Sequence, residues 1–397
     1  MPEIKIVHTS NIHLGYRFPG FDRKSEKLRI ADVNRVFLEL KQYVMKNGVH
    51  LLLIAGDLFD KMNLRRETLS IALDAFGEIG EKCPGSRIVL TPGREEFFEG
   101  PEGERKCNLD VFGHMANVLV LGAGDDLSPE SVDIVFGGDK VVVTSCGVDL
   151  FFDENFHKKR IPAVKDAVGI FLLSTARRRG GDLRVSDEML KESVLEPVRG
   201  RGYQYLALGG RHDLALLESG DFTAIFPGSL ERFDFEKDRD RKCFISLTVV
   251  GGKVQTPEPV RSNARALEYV RITCSSSTDV SDLENSLSGL GGKGDREKIL
   301  YIVLDGQMPF DMFEVFRGSE RLKQLRERFA SVHLENRLIL LDSGREYNFD
   351  ALRVNTPSDE FRYTVEKELE EAKGRGGEVE LLKELLEMGI REIEEGP

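Results

Sequence analysis

The sequence predicts an α/β protein: a two-sheet sandwich flanked by helices, then a small α/β domain and a helical tail. Three observations predict it. Short apolar runs alternate with helical periodicity through the first half of the chain, the pattern of α/β layers. Strand-like runs then crowd together with fewer helices between them, which fits two packed sheets better than one doubly wound sheet. Around positions 261–265 the text turns polar and a second strand–helix alternation begins.

In chain order, Ile4 and Ile6 alternate with Lys5 in a strand over 4–8. Residues 28–44 place Val33, Val36, Phe37, Leu40 and Val44 on one helical face. The unbroken apolar run 51–55 ends at Gly56-Asp57, as a buried strand delivering a loop does. A helix over 67–79 and a strand over 87–91 follow, then strands over 118–121, 132–136, 141–145, 170–173 and 204–208. The second pattern reads as strand 269–273, helix 280–290, a Gly-Gly-Lys-Gly turn at 291–294, strand 299–304 and helix 320–329. Beyond Gly344 the chain is acidic and helical. There Leu382, Leu385, Leu386 and Ile393 share a face that needs a partner or a core to cover it. The implied domains are 1–262, 263–345 and 346–397.

Composition bounds the function. At 397 residues the chain is long enough for two to three domains, and its 40% hydrophobic and 31% charged residues have a soluble, globular profile. No apolar run approaches the roughly 20 residues of a membrane span, and the N-terminus opens into a strand with no secretory leader. Five scattered cysteines without a CxxC pair point to reduced thiols and a cytoplasmic setting. The absence of tryptophan and the excess of Glu, Lys and Arg over Gln hint at a thermophile. Net charge is −12, of which the 15 acidic and 7 basic residues of 346–397 supply −8. Basic runs survive upstream at 158–160, 177–179 and Arg199 with Arg201. They read as a solvated surface first and as a phosphate track second.

Ligands of open α/β folds sit where loops leave the carboxyl ends of strands. Those loops carry Ser10-Asn11-Ile12-His13, Gly56-Asp57-Leu58-Phe59-Asp60, Pro92-Gly93-Arg94-Glu95-Glu96, Ser174-Thr175 and Gly209-Gly210-Arg211-His212. The stretch from His8 to Gly15 resembles the HxSDxHLG opening of the SbcD-type DNA double-strand-break-repair nucleases, a branch of the calcineurin-like metallophosphoesterases. Gly56 to Asp60 matches their GDLFD loop letter for letter, Gly209 leads into their GHxH position, and Pro227-Gly228-Ser229 matches the PGS that follows. The resemblance covers roughly residues 1–260, with five motifs in the family's order. It implies the calcineurin-like sandwich with a capping domain, a site for two divalent ions (manganese above all), and a C-terminal helix that docks on a coiled-coil ABC ATPase of the SbcC type. DNA and a second copy of the chain are the other partners it implies.

Carried over position by position, the resemblance gives the first ion Asn11, His13, Asp57 and His212. The second ion would have Asp57 again, with Arg94, Ser174 and Gly210. Here the chain departs from the family. Asn11 stands for Asp, Arg94 for Asn, Ser174 and Gly210 for His, and Glu95 for the transition-state His. The first shell keeps three ligands and a neutral carbonyl oxygen; the second keeps only the shared Asp57. A guanidinium about 4 Å from a cation is repelled by about 4 kcal/mol per unit charge at an effective dielectric of about 20. Arg94 is therefore expected to exclude the second ion and take over part of its charge, with Glu95 and Glu96 as counter-charges. Arg94, Arg211 and Arg17 are the candidate phosphate or DNA contacts. Set against these, Asp57 reads as a turn residue, His13 and His212 as relics, and Arg94 and Arg211 as salt-bridge partners. Three functions follow: a non-catalytic or impaired subunit that binds DNA or an ATPase partner, a one-metal exonuclease or phosphodiesterase, and a purely structural subunit.

Overall fold

The fold comes from a computed structural model of the chain, which describes residues 3–60, 64–99, 105–124, 128–146, 161–175, 195–220, 222–236, 241–292, 295–342, 345–347, 365 and 386. Two compact units emerge. The first comprises Met1–Arg17 and Ile30–Ala264, the second Phe18–Arg29 and Arg265–Pro397. Residues 18–29, which sequence alone places in the first domain, cluster with the second.

Unit 1 opens with β1 (Glu3–Thr9), the part of α1 (Arg23–Lys46) from Ile30 onward, β2 (Leu51–Ala55), α2 (Arg66–Lys82) and β3 (Arg87–Thr91). A small hairpin of β4 (Phe97–Glu99) and β5 (Arg105–Cys107) precedes β6 (Val118–Val120). Then come β7 (Glu130–Phe136), β8 (Asp139–Ser145), β9 (Val168–Ser174), β10 (Tyr203–Gly209), β11 (Ala215–Ser219) and β12 (Phe222–Phe226). The unit ends with β13 (Cys243–Val250), β14 (Lys253–Val254) and β15 (Glu258–Arg261).

The strands form two sheets. One runs β14-β13-β1-β2-β3-β6, with β15 also on β13; the other runs β11-β12-β10-β9-β8-β7. β1, β2, β3 and β6 are mutually parallel, as are β8, β9, β10 and β12. Parallel strands covered on both faces read as continuous apolar runs, and all five residues of β2 are buried. Ile6, Leu53 and Ala55 of the first sheet interlock with Ile170, Leu172, Tyr205 and Ala207 of the second in one core. On the far side of the second sheet, Phe171, Leu173, Leu206 and Leu208 build another. The predicted apolar face of α1 is buried from Val33 to Val44. This is the α/β sandwich expected from the sequence.

Unit 2 holds a four-stranded sheet of β16 (Leu267–Cys274), β17 (Ile299–Pro309), β18 (Ser331–Asp342) and β19 (Arg345–Tyr347). β16, β17 and β18 are parallel. Ile272, Leu300, Ile302, Leu304, Leu338 and Leu340 face a core shared with helices Val280–Ser286, Phe310–Arg317 and Glu320–Arg328. Helix Phe310–Arg317 and strand β18 are additions to the sequence reading, and the helix expected over 280–290 closes at Ser286. The apolar stripe of the tail lies outside the described residues, Leu386 excepted. Among the described residues no helix is long and apolar enough to cross a membrane.

Candidate functional site

Several candidate side chains sit where the carboxyl ends of β1, β2, β3, β9 and β10 meet. The two sheets touch there: a Cβ on Gly209 would stand 2.7 Å from the Ala55 carbonyl carbon. The loop after β1 lies alongside the loop after β2. The Asp57 carbonyl accepts from Ile12 N and His13 N (both 2.9 Å), and the Leu58 carbonyl from Leu14 N (2.8 Å). This zipper bends the chain sharply, so Asn11, His13 and Asp57 take left-handed φ of 49°, 50° and 54°. Such values are uncommon outside glycine and cluster at functional sites.

The geometry brings His13 and His212 into contact, Nε2 to Nε2 at 3.2 Å. Which ring donates depends on the tautomers. The spacing also lies within reach of two bonds of roughly 2.0–2.1 Å to one ion. Asp60 stands behind His13, its Oδ1 3.5 Å from Nδ1, an ion-pair distance without hydrogen-bond geometry. Phe233 packs edge-on against both imidazoles, with centroids at 4.9 and 5.6 Å, and Tyr16 lies 5.1 Å from Phe233. Asn11 turns its Nδ2 to the Arg211 carbonyl and Ser10 Oγ, both at 2.8 Å. An aspartate could make neither as a donor. Its Oδ1 is left buried and unpartnered.

Asp57 is buried, and its Oδ1 also lacks a partner. Beside it Glu96 is fully buried and accepts from Asp57 N (3.1 Å), Phe59 N (3.0 Å) and Gly93 N (2.5 Å). Burial and mutual repulsion push the Asp57 carboxyl well above the usual carboxylate range. Burial does the same to Glu96, against the backbone N–H groups that favour its charge. Glu95 and Asp60 add negative potential at Asp57. This corner asks for positive charge. Arg94 begins the 3-10 turn that carries Glu95 and Glu96, but its side chain lies outside the described residues.

At the remaining second-ion positions, Ser174 is fully buried with its Oγ unpartnered. It lies against Gly56, where an added Cβ would stand 2.5 Å from Ser174 Cβ. Gly210 contributes no side chain. Among the described residues no three His, Cys, Asp or Glu side chains form a group that could hold a metal. Four of the unpartnered buried polar atoms nevertheless belong to Asn11, His13, Asp57 and Ser174. The donors of Asn11, His13, Asp57 and His212 suit one divalent ion in type; Ser174 and Gly210 do not suit a second.

The candidate cations divide. Arg211 stands 3.8 Å from Asp213 and lies over the Phe226 ring at 5.3 Å. Arg17 is half-buried and carries an interaction of its own. Arg201 donates to the carbonyls of Pro197 and Ile161, and Arg199 pairs with Glu196, so both are in structural use. The runs 158–160 and 177–179 lie outside the described residues. His8 is structural: it is buried with Nδ1 2.9 Å from the Tyr205 hydroxyl, and burial pushes its pKa down to about 3. Sequence reasoning missed the Glu96 clamp and the Phe233–Tyr16 wall. Glu96 is adjacent to the motif, but nothing in its spelling says that it serves backbone amides. Phe233 meets His13 only through folding.

Part of the sequence is similar to two curated proteins. It is 28% identical over 122 residues to the SbcD subunit of the nuclease SbcCD of Rhodobacter capsulatus, covering 30% of this chain and 28% of that protein. It is 30% identical over 94 residues to the DNA double-strand break repair protein Mre11 of Methanopyrus kandleri, covering 24% of this chain and 19% of that protein. The match thus spans less than a third of either relative. A dimetal phosphatase from Danio rerio superposes with a TM-score of 0.40 at 12% identity, over 66% of this chain and 99% of that one. No protein-family model matches the sequence.

Proposed function

We propose, on the premise that this chain belongs with the SbcD-type nucleases of the calcineurin-like metallophosphoesterases, that it is a catalytically impaired member retained to bind DNA or an ATPase partner. One observation carries the reading. At two second-ion positions there is a serine buried against Gly56 and a glycine, so the paired ions that activate a bridging water in two-metal catalysis have no second berth. The guanidinium at position 94 is proposed to supply the missing charge beside Glu95 and Glu96.

A one-metal phosphodiesterase is the second reading, favoured by the unpartnered oxygens of Asn11 and Asp57. An ion there would be held by His13, His212, Asp57 and Asn11, with manganese the first candidate. When bound it would polarise a phosphoryl oxygen or lower the pKa of a water. The chain's own part would be to hold that ion between loops fixed by Glu96 and to keep its imidazoles in place with Asp60 and Phe233.

The test is metal content after manganese loading, combined with turnover of a chromogenic phosphodiester and of end-labelled duplex DNA. The binding subunit predicts at most one ion per chain, no turnover above an Asp57→Ala control, and a DNA or ATPase complex that survives that substitution. Turnover that needs manganese and disappears in Asp57→Ala would establish the second reading. Two ions sharing Asp57 would overturn both.

A further inference from the structure

Unit 2 carries a cavity of about 580 Å³ that plays no part in the site above. Its wall joins the start of α1, helix Phe310–Arg317 and the first half of β18. Three cations line it, Lys24, Arg317 and Arg326, against one carboxylate, Asp22. That carboxylate is already occupied: it accepts from Lys24 N (2.9 Å), Ser25 N (3.1 Å) and Ser25 Oγ (2.6 Å) as the cap of α1. Arg317 is partly compensated by Glu314 at 2.9 Å and rests over the Phe313 ring.

Part of the lining is buried, Ser331 and His333 among it. Ser331 is 4% exposed, and its Oγ has no hydrogen-bond partner, an unfavourable state unless something else satisfies it. Asn336 uses its carbonyl oxygen on Leu338 N (3.0 Å), which leaves its NH₂ as the group to offer. His333 is held between Phe21 and Tyr301 by ring stacking at 4.4 and 4.9 Å. Burial keeps it neutral, pushing its pKa down to about 4 against the charges of Glu335 and Asp22. Val332, Leu334 and Phe313 supply apolar surface.

We propose that this cavity binds a small phosphorylated organic molecule of about the size of a nucleoside monophosphate. Donors and cations outnumber acceptors, so the fitting partner is rich in acceptors and negative. A phosphate monoester brings three acceptor oxygens and a charge of about −1.5 to −2. The volume lies in the range of about 300–1,000 Å³ typical of small-molecule sites, which a bare phosphate ion would leave mostly to water. The apolar wall gives the organic part its contact. The site is independent of the metal reading and shares no residue with it.

The experiment is equilibrium dialysis of the full chain with adenosine monophosphate in EDTA, repeated for His13→Ala to remove the other site. Saturable binding of one molecule per chain is expected in both. Lys24→Glu and Arg326→Glu, both exposed positions, should each weaken it roughly tenfold or more, as loss of a charge-assisted contact does. Ser331→Ala should weaken it without altering the unfolding midpoint of the unliganded protein. Adenosine and inorganic phosphate should each bind at least roughly tenfold more weakly than the ester. The proposal fails if no saturable binding is seen, or if binding is unchanged in the Lys24→Glu/Arg326→Glu double variant. It also fails if a 5′-phosphorylated oligonucleotide binds there and the mononucleotide does not, since the source would then be a nucleic-acid strand.

Discussion

Asn11 shows how one side chain fixes a local balance. Its Nδ2 faces three oxygens, of Ser10, Arg211 and, at 3.5 Å, Gly228, while its Oδ1 is buried and unpartnered. Asn11→Asp sets a carboxylate against a carbonyl. It should lower the stability of the metal-free protein by about 1–3 kcal/mol and raise manganese affinity. Urea unfolding with and without manganese checks both signs, and a variant as stable as the parent without metal would contradict the argument. Gly93 is equally local. A Cβ there would lie 2.5 Å from Asp57 Cγ, so Gly93→Ala should cost about 1–3 kcal/mol or more through overpacking, read from the urea midpoint. His8 contributes a pH term. Its folded pKa of about 3 lies below the ordinary histidine value of 6.5, so between those values the unfolded chain binds more protons. Its contribution is complete above about pH 6.5 and is lost as pH falls towards 3, a few kcal/mol in all. His8→Gln should flatten the fall of unfolding free energy across that window relative to the parent.

Elements are locked at the site by a buried carboxylate that serves backbone amides. Glu96 joins the loop after β2 to the loop after β3 by taking three backbone N–H groups. Glu96→Ala orphans those donors, and a loss of about 3 kcal/mol or more is expected, with faster amide exchange at Asp57 and Phe59. Unchanged exchange there would show that the loops hold without it. The main strands of the sandwich were legible because parallel, doubly covered strands have to be apolar throughout, as the run Leu51–Ala55 is. Strand β18 was not. Its sequence, Ser331–Asp342, alternates apolar residues with His333, Glu335 and Arg337. These three occupy the sheet face opposite the helices, and register with Tyr301, not hydropathy, supports His333.

Taken entire, the chain is not divided as it is written. Residues 18–29 lie far upstream of Arg265 yet belong to unit 2, where Phe21 stacks on His333 at 4.4 Å. Phe21→Ala should therefore destabilise that unit by about 1–3 kcal/mol, with amide exchange accelerating in β17 and β18. An effect confined to β1–β3 would contradict the assignment. Residue type and spacing suffice to specify the sandwich and the order of its loops, because each of these is written locally. They do not reveal that His13 meets His212, that Ser174 presses on Gly56, that Glu96 serves amides, or that a donor-lined cavity exists in unit 2. Those facts depend on residues far apart in the chain and on ångström-level contacts, and only closure of the sheets and packing of the loops bring them together.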